Sequence, residues 1–195
     1  MTIEMPLLLT PRLQLRTFTT ADTDGIYDIF SSATVLRYWD SPPWSEKAQA
    51  NSFIEKSMKV EEQPSGFRWA VEELATGALV GQCSVFNWNT TFKSLELGYC
   101  FREASWGQGL ATEAAGAALQ WAFESLEINR VQAEIDTRNI ASGRVLSKLG
   151  FLHEGTLREN CIVNGEVSDT HVYGLLKCDW KHLSAEAAAS IHGTK

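Results

Sequence analysis

The chain has 195 residues, 44% of them apolar, enough for one sizeable core, and no Pro/Gly/Ser-rich linker or charge run divides it. Its formal charge of −7 argues against a nucleic-acid partner, whose surface gathers Lys and Arg, and suits an amine-bearing one. Cys83, Cys100, Cys161 and Cys178 form no CxxC or Cys/His cluster, so neither a metal site nor a disulfide framework is expected, and reduced thiols in a cytoplasmic protein are.

Near the start, the apolar run 5–9 has no basic region before it and no small-residue cleavage site after it, so no signal peptide is expected. No stretch approaches the roughly 20 apolar residues of a membrane span, which predicts no membrane partner. Residues 12–16 alternate like a strand, and Thr19 or Thr20 offers a cap for an amphipathic helix through Ile26, Ile29 and Phe30. After a loop carrying Tyr38, Trp39 and Trp44, Ser45 with Glu46 starts a second helix that Pro64 and Gly66 stop. Residues 67–73, 79–88 and 95–101 read as an antiparallel meander. Beyond it come a helix over 111–126, a strand over 130–136 and a helix over 140–149 ended by Gly150. Strands over 151–163 and 168–177 follow, joined at Asn164-Gly165. We expect one domain over residues 1–180 and a tail, 181–195, that is a short helix or disordered.

Between meander and helix, residues 105–123 read SWGQGLATEAAGAALQWAF. A helix N-terminus presents unpaired N–H groups and a partial positive charge, and Gly107, Gly109 and Ala111 leave its backbone accessible to an anion. Ala111, Ala115, Ala118 and Ala122 form a small stripe that would let this helix lie close to a sheet. On the residues alone, the stretch is either an anion site or an ordinary strand-to-helix turn. It contains no GxxxxGK[ST], and Thr112 breaks the GxGxxG of dinucleotide sites.

The turn Trp106-Gly-Gln-Gly-Leu-Ala111, continuing Thr-Glu-Ala, resembles motif A of the GNAT superfamily of N-acetyltransferases. With Trp106 in place of the usual Gln or Arg, it is most similar to the RimJ/RimL-like branch, which acetylates ribosomal-protein N-termini. Residues 9–16, Leu95-Glu-Leu-Gly-Tyr99, Asn139-Ile-Ala-Ser142 and Lys148-Leu-Gly-Phe151 resemble further segments of that branch, in order. The resemblance implies an α/β (α+β) fold with a mixed, largely antiparallel sheet of about six or seven strands. Helices would cover both faces, and the fourth and fifth strands would splay apart. It implies acetyl-coenzyme A (acetyl-CoA) as donor, with Trp106, Gly107, Gln108, Gly109, Leu110, Ala111 and Thr112 receiving the pyrophosphate. Tyr99, Cys100 and Phe101 would offer main-chain groups to pantetheine and to the developing oxyanion, and Asn139 would bind the pantetheine arm. Arg144 and Lys148 would approach the phosphates or lie on a solvated face. Dimers are common in the branch, so a homodimer is an expectation too.

A primary amine is largely protonated at neutral pH, so acetyl transfer needs a base. Glu96 is the candidate, acting directly or through water. Alternation alone leaves it on the solvent face or in the cleft, and the resemblance favours the cleft. The Tyr that many members use as acid is Leu146 here, which leaves Ser142, one turn earlier, as candidate acid or sulfur contact. Helix capping is the other reading of Asn139 and Ser142. Tyr38, Trp39, Trp44 and Trp88, with Glu96, would wall an amine site, unless they serve as core. The expected acceptor is a protein N-terminal α-amine. The alternatives are a small amine or antibiotic, a different short acyl donor, or a non-catalytic acyl-CoA sensor.

Overall fold

The computed structural model of the protein describes residues 5–59 and 65–180. The expectations for Pro64 and for the tail 181–195 therefore lie outside the described residues. In chain order the elements are β1 (Leu8–Leu9), β2 (Leu13–Arg16), α1 (Thr23–Phe30), α2 (Lys47–Met58), β3 (Phe67–Glu73), β4 (Ala78–Asn89) and β5 (Ser94–Phe101). They continue with α3 (Leu110–Ser125), β6 (Arg130–Asp136), α4 (Ile140–Lys148), β7 (Leu152–Val163) and β8 (Glu166–Leu176). All twelve described strands and α-helices but β1 match the expected ones to within two residues at most ends. The two residues of β1 carry no readable alternation and form a strand only by pairing with β2, which raises the sheet to eight strands.

The strand order is β1-β2-β3-β4-β5-β6-β8-β7, antiparallel throughout except where β5 meets β6. Side chains of successive residues point to opposite faces of a strand, so the sheet sorts its residues between two layers. Trp69, Val71, Cys83, Val85, Leu95, Leu97, Val131 and Ala133 pack beneath α3 and α4. On the opposite face Ala70 and Cys100 join Phe18 and the apolar sides of α1 and α2. Within α3, Ala115, Ala118 and Ala122 are fully buried, as a helix lying close on a sheet requires.

The pairing of β5 with β6 is short. It runs from Ser94↔Arg130 to Glu96↔Gln132 and then stops. Beyond that point β5 follows β4 as far as Phe101↔Gly81, while β6 follows β8 as far as Asp136↔Thr170. The two strands therefore diverge, and among the described residues no strand lies beside the edge of β5 from Leu97 onward on that side. The bond from Arg102 N–H to the Val80 carbonyl fixes the alternation along β5. Even-numbered residues bond to β4, and the main-chain groups of Leu97, Tyr99 and Phe101 face the opening.

Candidate active site in the splayed sheet

The opening between β5 and β6 widens into a cleft of about 510 Å³, bounded by β3, β4, β5, β6, α4, β7, β8 and the loop before α2. At the start of α3, Gly107 and Gly109 adopt left-handed backbone, with φ of 72° and 79°. A β-carbon on Gly107 would meet nothing within 4 Å, so the turn is bare on its outer side. The first helical bond is Glu113 N–H to the Gly109 carbonyl at 3.1 Å, and among the described residues no side chain caps the helix. The N–H groups of Leu110, Ala111 and Thr112 thus precede any intrahelical acceptor, an arrangement that fits a diphosphate. Leu110 buries its side chain and has only its N–H to offer.

Trp106 and Gln108 brace this turn. The Trp106 indole donates to the Phe101 carbonyl at 2.9 Å while its ring stays 46% exposed, and Gln108 Nε2 donates to the Ala104 carbonyl at 2.8 Å. A second brace escaped the sequence reading. Arg12 forms an ion pair with Glu113 at 2.6 Å and donates to the Gln108 carbonyl at 2.9 Å, and Thr10 Oγ1 donates to Glu113 at 2.7 Å. Burial would raise the Glu113 pKa, but the hydrogen bonds from Thr10 and Arg12 outweigh it and leave the carboxyl below its ordinary range. An acidic residue in a helix's first turn is legible in sequence; a partner 101 positions away is not.

Midway along the cleft, Tyr99 OH and Ser142 Oγ share a hydrogen bond of 2.8 Å, a contact that sequence spacing did not anticipate. Burial pushes the Tyr99 phenol up, and the bond to Ser142 offsets this only in part. Asn139 caps α4, its Oδ1 accepting from Ser142 N–H at 3.1 Å, and it also lines the cleft. Leu146, where a Tyr is usual, is fully buried.

None of Trp106 to Thr112 lines this cleft, and three further expected contacts are also missing from its wall. Cys100 is 4% exposed among the α1 and α2 side chains, its main chain turned to β4, and burial pushes its thiol up to about 12. The Phe101 ring lies in the main core, and its carbonyl is taken by Trp106, so only its N–H faces the opening. Arg144, together with Lys148, lines a separate hollow of about 460 Å³ beside His171 and Tyr173.

Where alternation left two faces open for Glu96, the structure chooses. Leu95 and Leu97 are buried under α3, and Glu96 points to the other face, where it lines the cleft. Asn87 Nδ2 donates to Glu96 Oε1 at 2.9 Å, from a bulge in β4 in which Asn87 takes a φ of 51°. That bulge also corrects the expectation for Trp88. Strict alternation would set Trp88 beside Phe86 in the cleft, but the irregular step sends it to the α3 face against Phe67, with its indole N–H buried and unpartnered among the described residues. Trp44 is likewise absent from the cleft wall: it stacks on Phe30 at 4.6 Å in the second core. Tyr38 and Trp39 do line it, Tyr38 with Arg37 over its ring at 4.6 Å and Trp39 edge-on to Phe30 at 5.6 Å. The far wall is held by Asp136, which takes an ion pair from Arg138 at 2.8 Å and a hydrogen bond from Ser168 at 2.7 Å. The Arg138 hydrogen bond foremost, working against burial, keeps the Asp136 carboxyl at about 2.

Residues 12–152 match the family model described as Acetyltransferase (GNAT) domain. The N-acetyltransferase YoaA of Bacillus subtilis is 33% identical over 172 residues, which cover 88% of this chain and 97% of YoaA. YdaF of the same organism, whose name assigns it to the ribosomal N-acetyltransferases, is 36% identical over 108 residues, 55% of this chain and 59% of YdaF. A spermidine N-acetyltransferase from Vibrio cholerae, solved in complex with CoA and spermine, superposes with a TM-score of 0.78. It covers 88% of this chain and 99% of its own, and at 20% identity it shares the fold.

Proposed function

The chain belongs to the acetyltransferase (GNAT) family, and from this premise we propose that it moves the acetyl group of acetyl-CoA to a primary amine, the α-amine at a protein's N-terminus. The turn W-G-Q-G-L-A-T-E-A and the similarity to YdaF support the RimJ/RimL-like branch. Acetyl-CoA supplies, when bound, a thioester whose acyl carbon accepts a neutral amine. The protein's part is to hold the two reactants and manage two protons.

The bare turn and first N–H groups of α3 bind a diphosphate, and the main-chain groups of Leu97 and Tyr99 orient an amide-bearing arm along the open edge of β5. Glu96 receives the proton of the incoming ammonium, with Asn87 fixing the carboxylate's direction. Ser142 Oγ, held by Tyr99, carries the proton needed on the leaving side. One observation carries this reading: a carboxylate on the cleft face of β5 stands in the same opening as the strand's unpaired edge.

The test is mass-spectrometric detection of transfer from acetyl-CoA, offered separately to peptides with free N-termini and to small amines including polyamines and aminoglycosides. Modified peptide α-amines are the expected result. Modification of small amines alone overturns the N-terminal acceptor, and coenzyme binding without transfer to either overturns the enzymatic reading in favour of a sensor.

A further inference from the structure

Among the described residues the cleft is lined by one cation, Arg68, and it has no carboxylate partner. Arg68 stands on β3 opposite Ser84, on the face that carries Glu96, and its guanidinium lies 4.5 Å from the centre of the Phe53 ring. Its one hydrogen bond among the described residues is a long contact of 3.4 Å to Ser57 Oγ. A guanidinium presents five N–H donors in a plane, and removing it from water without an anion to receive them is costly. Desolvation accordingly holds its pKa below the ordinary arginine value. On the neighbouring strand Gln82 is 4% exposed, lines the same hollow, and among the described residues finds no partner for its carboxamide oxygen. This end of the cleft thus holds unmet donors and an unmet acceptor side by side.

The carboxylates that line the cleft do not fill the gap. Asp136 is held by Arg138 and Ser168, Glu134 takes a bond from Gln132, Glu96 takes one from Asn87, and Asp40, the fourth, forms no ion pair with Arg68. With β3 and β5 separated by β4, Glu96 and Arg68 rise from backbones roughly 10 Å apart across the sheet, at two ends of one hollow. An acceptor that was only cationic would satisfy Glu96 and be repelled by Arg68. A planar carboxylate matches the guanidinium fork in charge and geometry.

Building on the proposed function, which makes this cleft the acceptor site, we infer that the acceptor carries a carboxylate as well as its amine, the amine directed to Glu96 and the carboxylate to Arg68. Two sources share that chemistry: an acidic side chain near the front of a peptide, and the α-carboxylate of a free amino acid.

The experiment pairs each carboxylate acceptor with its carboxamide: peptides beginning Ser-Glu or Ser-Asp against Ser-Gln or Ser-Asn, and free amino acids against their amides. Wild-type enzyme is expected to show a KM at least tenfold lower for the carboxylate member of one series. Arg68→Gln should abolish that preference by raising KM for the carboxylate alone, with kcat within about twofold, and Arg68→Lys should restore part of it. The two series separate the sources, and selectivity in either supports the inference. Arg68→Gln should also keep or raise Tm, because it removes an unpaired, desolvated cation. Equal KM values within every pair, or exclusive acetylation of polyamines, overturns the inference. Should nothing be acetylated, the proposed function fails by itself. Calorimetric binding of the same pairs to the coenzyme-loaded protein then decides this inference, which a loss of carboxylate preference in Arg68→Gln supports and equal binding within each pair overturns.

Discussion

The glycine turn before α3 and the cleft between β5 and β6, the proposed coenzyme and acceptor ends of the site, are built on opposite plans. The coenzyme end is one continuous stretch, Trp106 to Thr112, whose conformation comes from two left-handed glycines and whose ligands are backbone N–H groups. The acceptor end is gathered from β3, β4, β5, β7 and the loop before α2, and its working groups are side chains. A backbone cradle tolerates variety in its side chains and reads a common group such as a diphosphate. A side-chain cavity changes character with each substitution, so acceptor choice can drift while coenzyme use stays fixed.

The sharpest way to divide the two ends is Glu96→Gln. It keeps volume and hydrogen-bonding capacity but removes the proposed base, and kcat is expected to fall about 100-fold, at the lower end of general-base contributions. Coenzyme affinity, measured by calorimetry, should not move. Full turnover in Glu96→Gln would show that the carboxylate only orients the acceptor. Conversely, Gly109→Val attacks the coenzyme end alone. A β-branched residue at φ of 79° costs about 1–3 kcal/mol of strain, so KM for acetyl-CoA should rise roughly tenfold while the ranking of acceptors is preserved. A changed ranking would mean that the two ends are not independent.

Legibility in the sequence follows the same divide. The strand-to-helix turn at the glycines, the small stripe of α3 and the periods of eleven elements are local patterns, whose shapes, as distinct from any ligand, read correctly within their own windows. Trp88 misleads because one bulge reverses the alternation beside it, and no residue type announces a bulge. Trp44 was a loop aromatic whose burial depends on Phe30 and Phe53, which lie on two different helices. Arg68, Gln82 and Asn87 were silent because an ordinary strand residue gains meaning only when the sheet shows which face it shares with Glu96. Between the ends, Ser142 is legible as a candidate, but strand position marks its partner Tyr99 only for its main chain.

That middle ground supplies a smaller effect. Ser142→Ala removes the hydroxyl bonded to the Tyr99 phenol, and kcat should drop about fivefold, less than loss of a sole general acid would cost, because Tyr99 remains beside the leaving position. The double variant with Tyr99→Phe should fall further than Ser142→Ala alone. A kcat unchanged across pH in Ser142→Ala would confine Ser142 to the helix cap.

The smallest effect is one of stability, and it asks what keeps the coenzyme end rigid before any ligand arrives. Glu113 ties the first turn of α3 to Thr10 and Arg12, which joins the cradle to the segment before β2. Its carboxyl is held below the ordinary value of 4.5 in the folded chain, so folding favours the ionised form. The stabilisation is therefore fully present above the unfolded-state pKa and is lost as pH falls through the folded one. Glu113→Gln should lower Tm by a few degrees at pH 7, an effect on the order of 1 kcal/mol for a partly exposed pair, and the gap between variant and wild type should narrow as the medium is acidified below about pH 4. The coenzyme KM should rise with the loss of Tm at neutral pH. A Tm gap constant from pH 7 to pH 3 would show that the carboxylate's charge contributes nothing, and that the glycine turn holds its shape from backbone geometry alone.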